Sequence, residues 1–178
     1  IVLLWIITRA WVLLSGFHHI PYPQSEFLFS DVRLYDWWAG NIWDGHFPIN
    51  DPMWQYPPLA AVIFTLGYAI AHNTVGFVVL ALGADFTLFW LLRSIGRKEN
   101  TLQPAMIWVI APVAMGPIFL GRFDVFPTLA TCIALVFINR ATLSGSWLAV
   151  GALLKVWPAL GLLAIPRSNF RRTAVSFI

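Results

Sequence analysis

Charge is what this sequence has least of. Only 11% of its 178 residues are Asp, Glu, Lys or Arg, against about 25% in soluble domains. With 59% hydrophobic residues, a chain this poor in ions is suited to lipid rather than water. Apolar runs at 57–72, 74–92, 102–120, 123–139 and 146–165 approach the roughly 20 residues that cross a hydrocarbon core. Cysteine is almost missing. Cys132 stands alone in an apolar run, which excludes an internal disulfide and a Cys-x-x-Cys centre and leaves it a small packing residue. There is no glycine-rich nucleotide loop, no nucleophile elbow, no repeat and no low-complexity linker. The net charge of +3 comes without a clustered basic face, which excludes a nucleic-acid partner and fits basic cytoplasmic loops. The expected fold is all-α: a polytopic bundle of transmembrane helices forming one domain over 1–178.

The chain opens at Ile1 inside an apolar segment. Arg9 interrupts that segment and no small-residue cleavage site follows, so it reads as a truncated first span rather than a signal peptide. The whole is taken as the N-terminal part of a longer protein. Pro112, Gly116, Pro117 and Pro158 lie inside apolar runs and predict short or broken helices. Orientation follows from the cations. If 57–72 spans fully, RSIGRKEN (93–100) falls outside. If 57–72 is shallow or re-entrant, RSIGRKEN and Arg140 lie in the cytoplasm, as the positive-inside rule prefers. The second arrangement puts GRFD (121–124) on the same outer face as the loop 18–56. It leaves Arg167, Arg171 and Arg172 on the wrong face unless 146–165 breaks near Pro158.

What little acid the chain has is concentrated. Glu26, Asp31, Asp36, Asp44 and Asp51 are five of its eight carboxylates, and they are mixed with Trp37, Trp38, Trp43 and Trp54. Asp31, Tyr35 and Trp38 recur at helical spacing, and Asp44-Gly45 is a stop signal, so a short helix is predicted from about 32 to 43. Its tryptophans suit the membrane interface. Each acid also has a plain role: Asp31 as an N-cap, Asp36 as partner of Arg33, Asp44 and Asp51 as turn residues.

Asp31-Val32-x-x-Tyr35 followed by Tyr56-Pro57-Pro58-Leu59 resembles the first external loop of polyprenyl-phosphate-sugar-dependent glycosyltransferases with the GT-C fold. The likeness continues through Gly121-Arg122-Phe123-Asp124 and Gly151-Ala152-Leu153-Leu154-Lys155-Val156-Trp157-Pro158. In order, these motifs most resemble glycosyltransferase family 87, the actinobacterial mannosyltransferases of phosphatidylinositol mannoside synthesis and their relatives. The resemblance implies Asp31 as catalytic base, with residues 18–73 as an external catalytic loop. It implies a lipid-linked sugar donor, mannose on a polyprenyl phosphate, and a glycolipid or cell-envelope glycan as acceptor. It also implies a multi-pass protein of the bacterial plasma membrane with its site on the outer face. The chemistry agrees: a sugar hydroxyl needs a positioned carboxylate to take its proton, and a lipid phosphate leaves as a stable anion without an acid. One carboxylate plus cations then suffices.

The remaining charges carry the other half of the reading. Lys155, mid-run, costs roughly 2.5–3.5 kcal/mol at a bilayer centre. It pairs with Asp85 or Asp124, snorkels, or binds the donor phosphate as the resemblance implies. Arg122 is a solvated loop cation or a second phosphate clamp. Asp124 orients Arg122 or Lys155, helps hold a divalent cation, or caps the following helix, with capping the leading role. Tyr35, Tyr56, Arg122, Asp124 and Lys155 are thus the expected substrate-binding residues beside Asp31. No residues have metal-ligand spacing, His18, His19, His46 and His72 included, although a divalent cation is left open. The competing class is a transporter with Asp85, Asp124 and Lys155 as an intramembrane relay. Transfer gathers ionisable groups at one face, whereas transport stacks them through the membrane.

Overall fold

A computed structural model describes residues 1–178; its regular elements are all helices, with no strand. Helix α1 is Val2–Gly16, α2 Ser25–Leu28, α3 Ser30–Trp43, α4 Leu59–Ile70, α5 Thr74–Lys98 and α6 Gln103–Met115. A 3-10 turn, Pro117–Leu120, leads to α7, Val125–Val136, and α8, Ala141–Leu154. A 3-10 segment, Trp157–Ala164, then precedes α9, Arg167–Phe177. The all-α expectation holds. Only α5 is both long and apolar enough to cross a bilayer; its 25 residues extend about 37 Å at 1.5 Å per residue.

The apolar runs are shorter as helices than as sequence, for local reasons. Run 102–120 stops at Gly116, whose φ of 77° is a conformation only glycine adopts cheaply, and Pro117 follows. Pro112, however, stays inside α6 without ending it. Run 146–165 breaks at Lys155, which is extended (φ −156°, ψ 141°). The ring of Pro158 would collide with the Leu154 carbonyl four residues back if the helix continued, so α8 must end there. The chain then doubles back. Pro158 packs on Gly151 and Gly161 on Leu148, and Arg171 and Arg172 come to lie beside Thr142 at the start of α8. Arg167, Arg171 and Arg172 all lie on helix α9.

Two ends of the bundle are defined by packing. Phe77, near the start of α5, lies 4.9 Å between ring centroids from Tyr35 of α3 and 5.8 Å from Phe126 at the start of α7. At the far ends of the same helices, Leu92, Ile95 and Lys98 face Cys132, Leu135 and Val136. Helices α5 and α7 thus run parallel, and α8 returns antiparallel to bring Lys155 to Asp124. Helix α4 begins beside Tyr56 and ends three residues before α5 starts. Its 12 residues span about 18 Å, shorter than a hydrocarbon core of about 30 Å.

A buried ion pair ties α1, α5 and α6 together. Arg9 Nε and Nη2 donate to Asp85 Oδ2 and Oδ1 at 2.8 and 2.7 Å. The indoles of Trp5 and Trp108 donate to the same carboxylate at 2.8 and 2.7 Å. Arg9 also donates to the Val109 and Trp108 carbonyls. Both side chains are buried, and this degree of hydrogen bonding is what lets a charge pair exist away from water.

Candidate active site

Helix α3 forms where the spacing indicated, two residues earlier than predicted at its start. One face, Val32, Tyr35, Trp38 and Ala39, is buried among Phe64, Phe77 and Phe123 in the main core. Tyr35 stacks on Phe64 with centroids 4.6 Å apart. Asp31 lies in the first turn, on the edge of that face. Its carboxylate makes no capping bond to a backbone amide. Ser30, not Asp31, bonds the chain just upstream, through the Phe27 carbonyl. Asp31 is instead paired with Arg122, 91 residues away in sequence.

That pairing depends on Gly121. A side chain there would collide with the Leu28 carbonyl oxygen and the Phe29 ring, so only glycine lets the GRFD turn press against α2 and the entry to α3. Phe123 is fully buried next to Tyr56, 5.2 Å between centroids. Arg122, between them, points out to Asp31. Asp124 occupies the N-cap position of α7 without a capping bond; its Oδ1 accepts from Lys155 Nζ at 2.7 Å. The structure thus replaces the expected capping role by the Lys155-orienting one. It also replaces a lysine in mid-helix by one at a helix end, 37% exposed.

Tyr35 and Tyr56 join hydroxyls at 2.9 Å. Burial first, then the hydrogen bond to Tyr56, pushes the Tyr35 phenol well above its ordinary range, and the nearby Asp124 charge adds to this. Burial raises Tyr56 as well; its bond to Tyr35 opposes the rise and Asp124 reinforces it. Both phenols therefore serve as neutral hydroxyls. Asp31, Leu34, Tyr35, Trp38, Met53, Gln55, Tyr56 and Arg122 enclose a cavity of about 270 Å³, and Asp124 directly follows Phe123, whose ring packs on Tyr35 and Tyr56 at 6.3 and 5.2 Å, which keeps the second ion pair close by.

The other acids separate from this cluster. Asp51 accepts from the Trp38 indole at 2.6 Å and from the Met53 amide at 2.8 Å, so the turn residue fixes a wall of the cavity. Asp44 ends α3 before Gly45, whose φ is 87°. Asp36 does not pair with Arg33, which bonds the Glu26 carbonyl. Burial raises the Asp36 carboxyl, with His72 acting against the rise. Trp37 is exposed while Trp38 is buried, leaving Trp38 and Trp54 packed at 5.1 Å and Trp37 free at the surface. No three His, Cys, Asp or Glu side chains converge as metal ligands. Gln55 and Met53 went unremarked in the sequence, because nothing local distinguishes them from other loop residues.

The three residues of the transport reading fall into two separate pairings: Asp85 with Arg9, Trp5 and Trp108, and Lys155 with Asp124. The family model for glycosyltransferase family 87 matches residues 54–178, which include Tyr56, Arg122, Asp124 and Lys155 and begin after Asp31 and Tyr35. No curated protein and no solved structure matches the chain. The chain belongs to glycosyltransferase family 87, and the chemistry to be accounted for is the transfer of a glycosyl group to an acceptor.

Proposed function

We propose that this chain carries the donor and base site of a polytopic membrane glycosyltransferase. The enzyme moves mannose from a polyprenyl-phosphate donor to a hydroxyl of a glycolipid or cell-envelope glycan, with inversion. The observation that carries the reading is the convergence of two cation–carboxylate pairs, Asp31–Arg122 and Asp124–Lys155, beside one polar cavity. A carboxylate at such a site accepts the acceptor's hydroxyl proton. The acceptor oxygen then bonds to the anomeric carbon, and the bond from that carbon to the phosphate oxygen breaks. The lipid phosphate departs with the electron pair. Asp31 is the base and returns its proton to solvent. Arg122 and Lys155 hold the departing phosphate, Arg122 through its planar fork. The neutral phenols of Tyr35 and Tyr56, with Gln55, offer hydrogen bonds to sugar hydroxyls.

In the resting arrangement each cation rests on a carboxylate of the protein. Donor phosphate offers Arg122 a competing anion and leaves Asp31 facing the acceptor. The active face lies outside the cytoplasm, since Arg97 and Lys98 at the end of α5, Arg140 after α7, and Arg171 and Arg172 beside the start of α8 lie at the opposite end of the bundle. The deciding experiment uses Asp31→Asn in the full protein with a lipid-linked sugar donor. Turnover falls by roughly 10²–10⁴-fold while donor affinity stays within a few fold. Normal turnover by a folded, donor-binding variant would falsify the assignment of the base.

A further inference from the structure

The end of the bundle away from the active site holds a second cavity that glycosyl transfer does not use. It is a cleft of about 420 Å³ between the C-terminal ends of α5 and α7, lined by Leu92, Ile95, Lys98, Cys132, Leu135 and Val136. Five of these six residues are hydrophobic. Lys98 is the only charge in its wall, and it pairs with no carboxylate, Glu99 beside it included. Arg97 precedes it in the last turn of α5. Arg93 lies one turn further in, against the Trp90 ring at 4.8 Å. Arg140 follows α7 by four residues and lies against Phe137. This end of the bundle therefore combines an apolar slot walled by one unpaired cation, Lys98, with further cations, Arg93, Arg97 and Arg140, near the same helix ends.

A slot of this kind is complementary to one class of molecule, an amphiphile with an apolar chain and an anionic head. We propose that the α5–α7 cleft is a binding site for an anionic phospholipid of the cytoplasmic leaflet. One acyl chain lies along Ile95, Leu135 and Cys132, and the headgroup phosphate rests on Lys98. Charge complementarity selects this occupant over a zwitterionic lipid, because each Lys or Arg near a membrane surface favours anionic lipid by about 1 kcal/mol, a factor of roughly five. A second copy of this chain is disfavoured by the same cations, since two such ends would repel. The inference rests on the membrane orientation proposed above but not on the identity of the sugar or the base.

Cys132 makes the site testable, because an acyl chain in the cleft covers its thiol. The full protein is reconstituted in phosphatidylcholine vesicles with and without phosphatidylglycerol, and the rate of thiol modification by a membrane-permeant maleimide is followed. Cys132→Ser provides the blank that isolates this thiol. Phosphatidylglycerol slows labelling about fivefold or more, and Lys98→Gln removes most of that slowing. Leu135→Trp, which fills the slot, makes the rate independent of lipid. Native mass spectrometry then retains phosphatidylglycerol on the wild type and loses it in Lys98→Gln. Equal rates in the two lipids overturn the proposal, as does a lipid effect that survives Lys98→Gln. Protection that follows protein density instead of phosphatidylglycerol content overturns it in favour of self-association. Equally fast labelling by a membrane-impermeant maleimide would overturn the membrane placement itself. That failure is recognisably different, and neither touches the turnover assay for Asp31.

Discussion

At Lys155 the local backbone changes what the charge means. In the middle of an apolar run a lysine carries a heavy insertion cost, and only a strong partner or a polar cavity makes it tolerable. In the folded chain it caps the C-terminal end of α8, where the helix dipole favours a cation. Its side chain is 37% exposed and bonded to Asp124 at 2.7 Å. The pair is therefore accessible to a competing anion, and its loss is milder than that of a sealed pair such as Arg9–Asp85. Lys155→Met is expected to weaken binding of the lipid-phosphate donor by about 1.5–3 kcal/mol, the scale of a charge-assisted hydrogen bond, with a smaller effect on affinity for the acceptor. Titration calorimetry with a non-transferable donor analogue checks it. Unchanged donor affinity would leave Lys155 as no more than the structural partner of Asp124.

Among the elements, the GRFD turn and α3 depend on each other. Arg122 reaches Asp31 because Gly121 lets the turn sit against the Leu28 carbonyl and because Phe123 is anchored among Tyr56, Phe64 and Phe126. Neither anchor involves a charge. Gly121→Val leaves every ionisable group in place but pushes the turn off α2. Catalytic geometry is sensitive to displacements of about 1 Å, which cost as much as 10²-fold in rate. Gly121→Val is expected to lower kcat by about that factor while the protein remains folded by circular dichroism. A variant with wild-type kcat would show that the close approach at Gly121 is dispensable for positioning Arg122. The loss is distinguishable from that in Arg122→Gln, which also weakens donor binding.

Over the whole molecule, charge is divided unevenly between the ends, with Arg33, Arg122 and Lys155 the cations that lie with the acids and Glu99 the acid that follows α5 at the basic end. Asp31, Asp36, Asp51 and Asp124 lie with α3, the loop and the start of α7. Arg93, Arg97, Lys98, Arg140, Arg171 and Arg172 lie at the far ends of α5 and α7 and beside the start of α8. About 30 Å of α5 separates Phe77, packed on Tyr35, from Lys98. That is close to the thickness of a hydrocarbon core. The reversal after Lys155 brings Arg171 and Arg172 to the basic end, which removes the conflict that a straight 146–165 span would create with the positive-inside rule. Single cysteines placed at Asn50 and at Asn100 in a Cys132→Ser background should react with impermeant reagent from opposite sides of a sealed vesicle. Labelling of both from one side would reject the orientation and the outward-facing site with it.

Composition and local pattern were enough to read a membrane-suited, all-helical chain with an acidic, aromatic loop and a helix ending at Asp44-Gly45. Those features depend on local propensity, on spacing and on the transfer energy of apolar residues, none of which needs a partner from elsewhere in the chain. The motifs around Asp31, Tyr56, Arg122 and Lys155 were also visible as residues, and the family match from 54 to 178 covers the last three. Which carboxylate answers which cation was not visible. Asp124 and Asp85 were equal candidates for Lys155, and Asp31 had a capping role open to it. Arg122 meets Asp31 across 91 residues, and Lys155 meets Asp124 across 31. Such pairs form because apolar packing of Tyr35, Phe64, Phe77 and Phe123 sets helix positions first, and short-range electrostatics then acts on whatever ends that packing brings together.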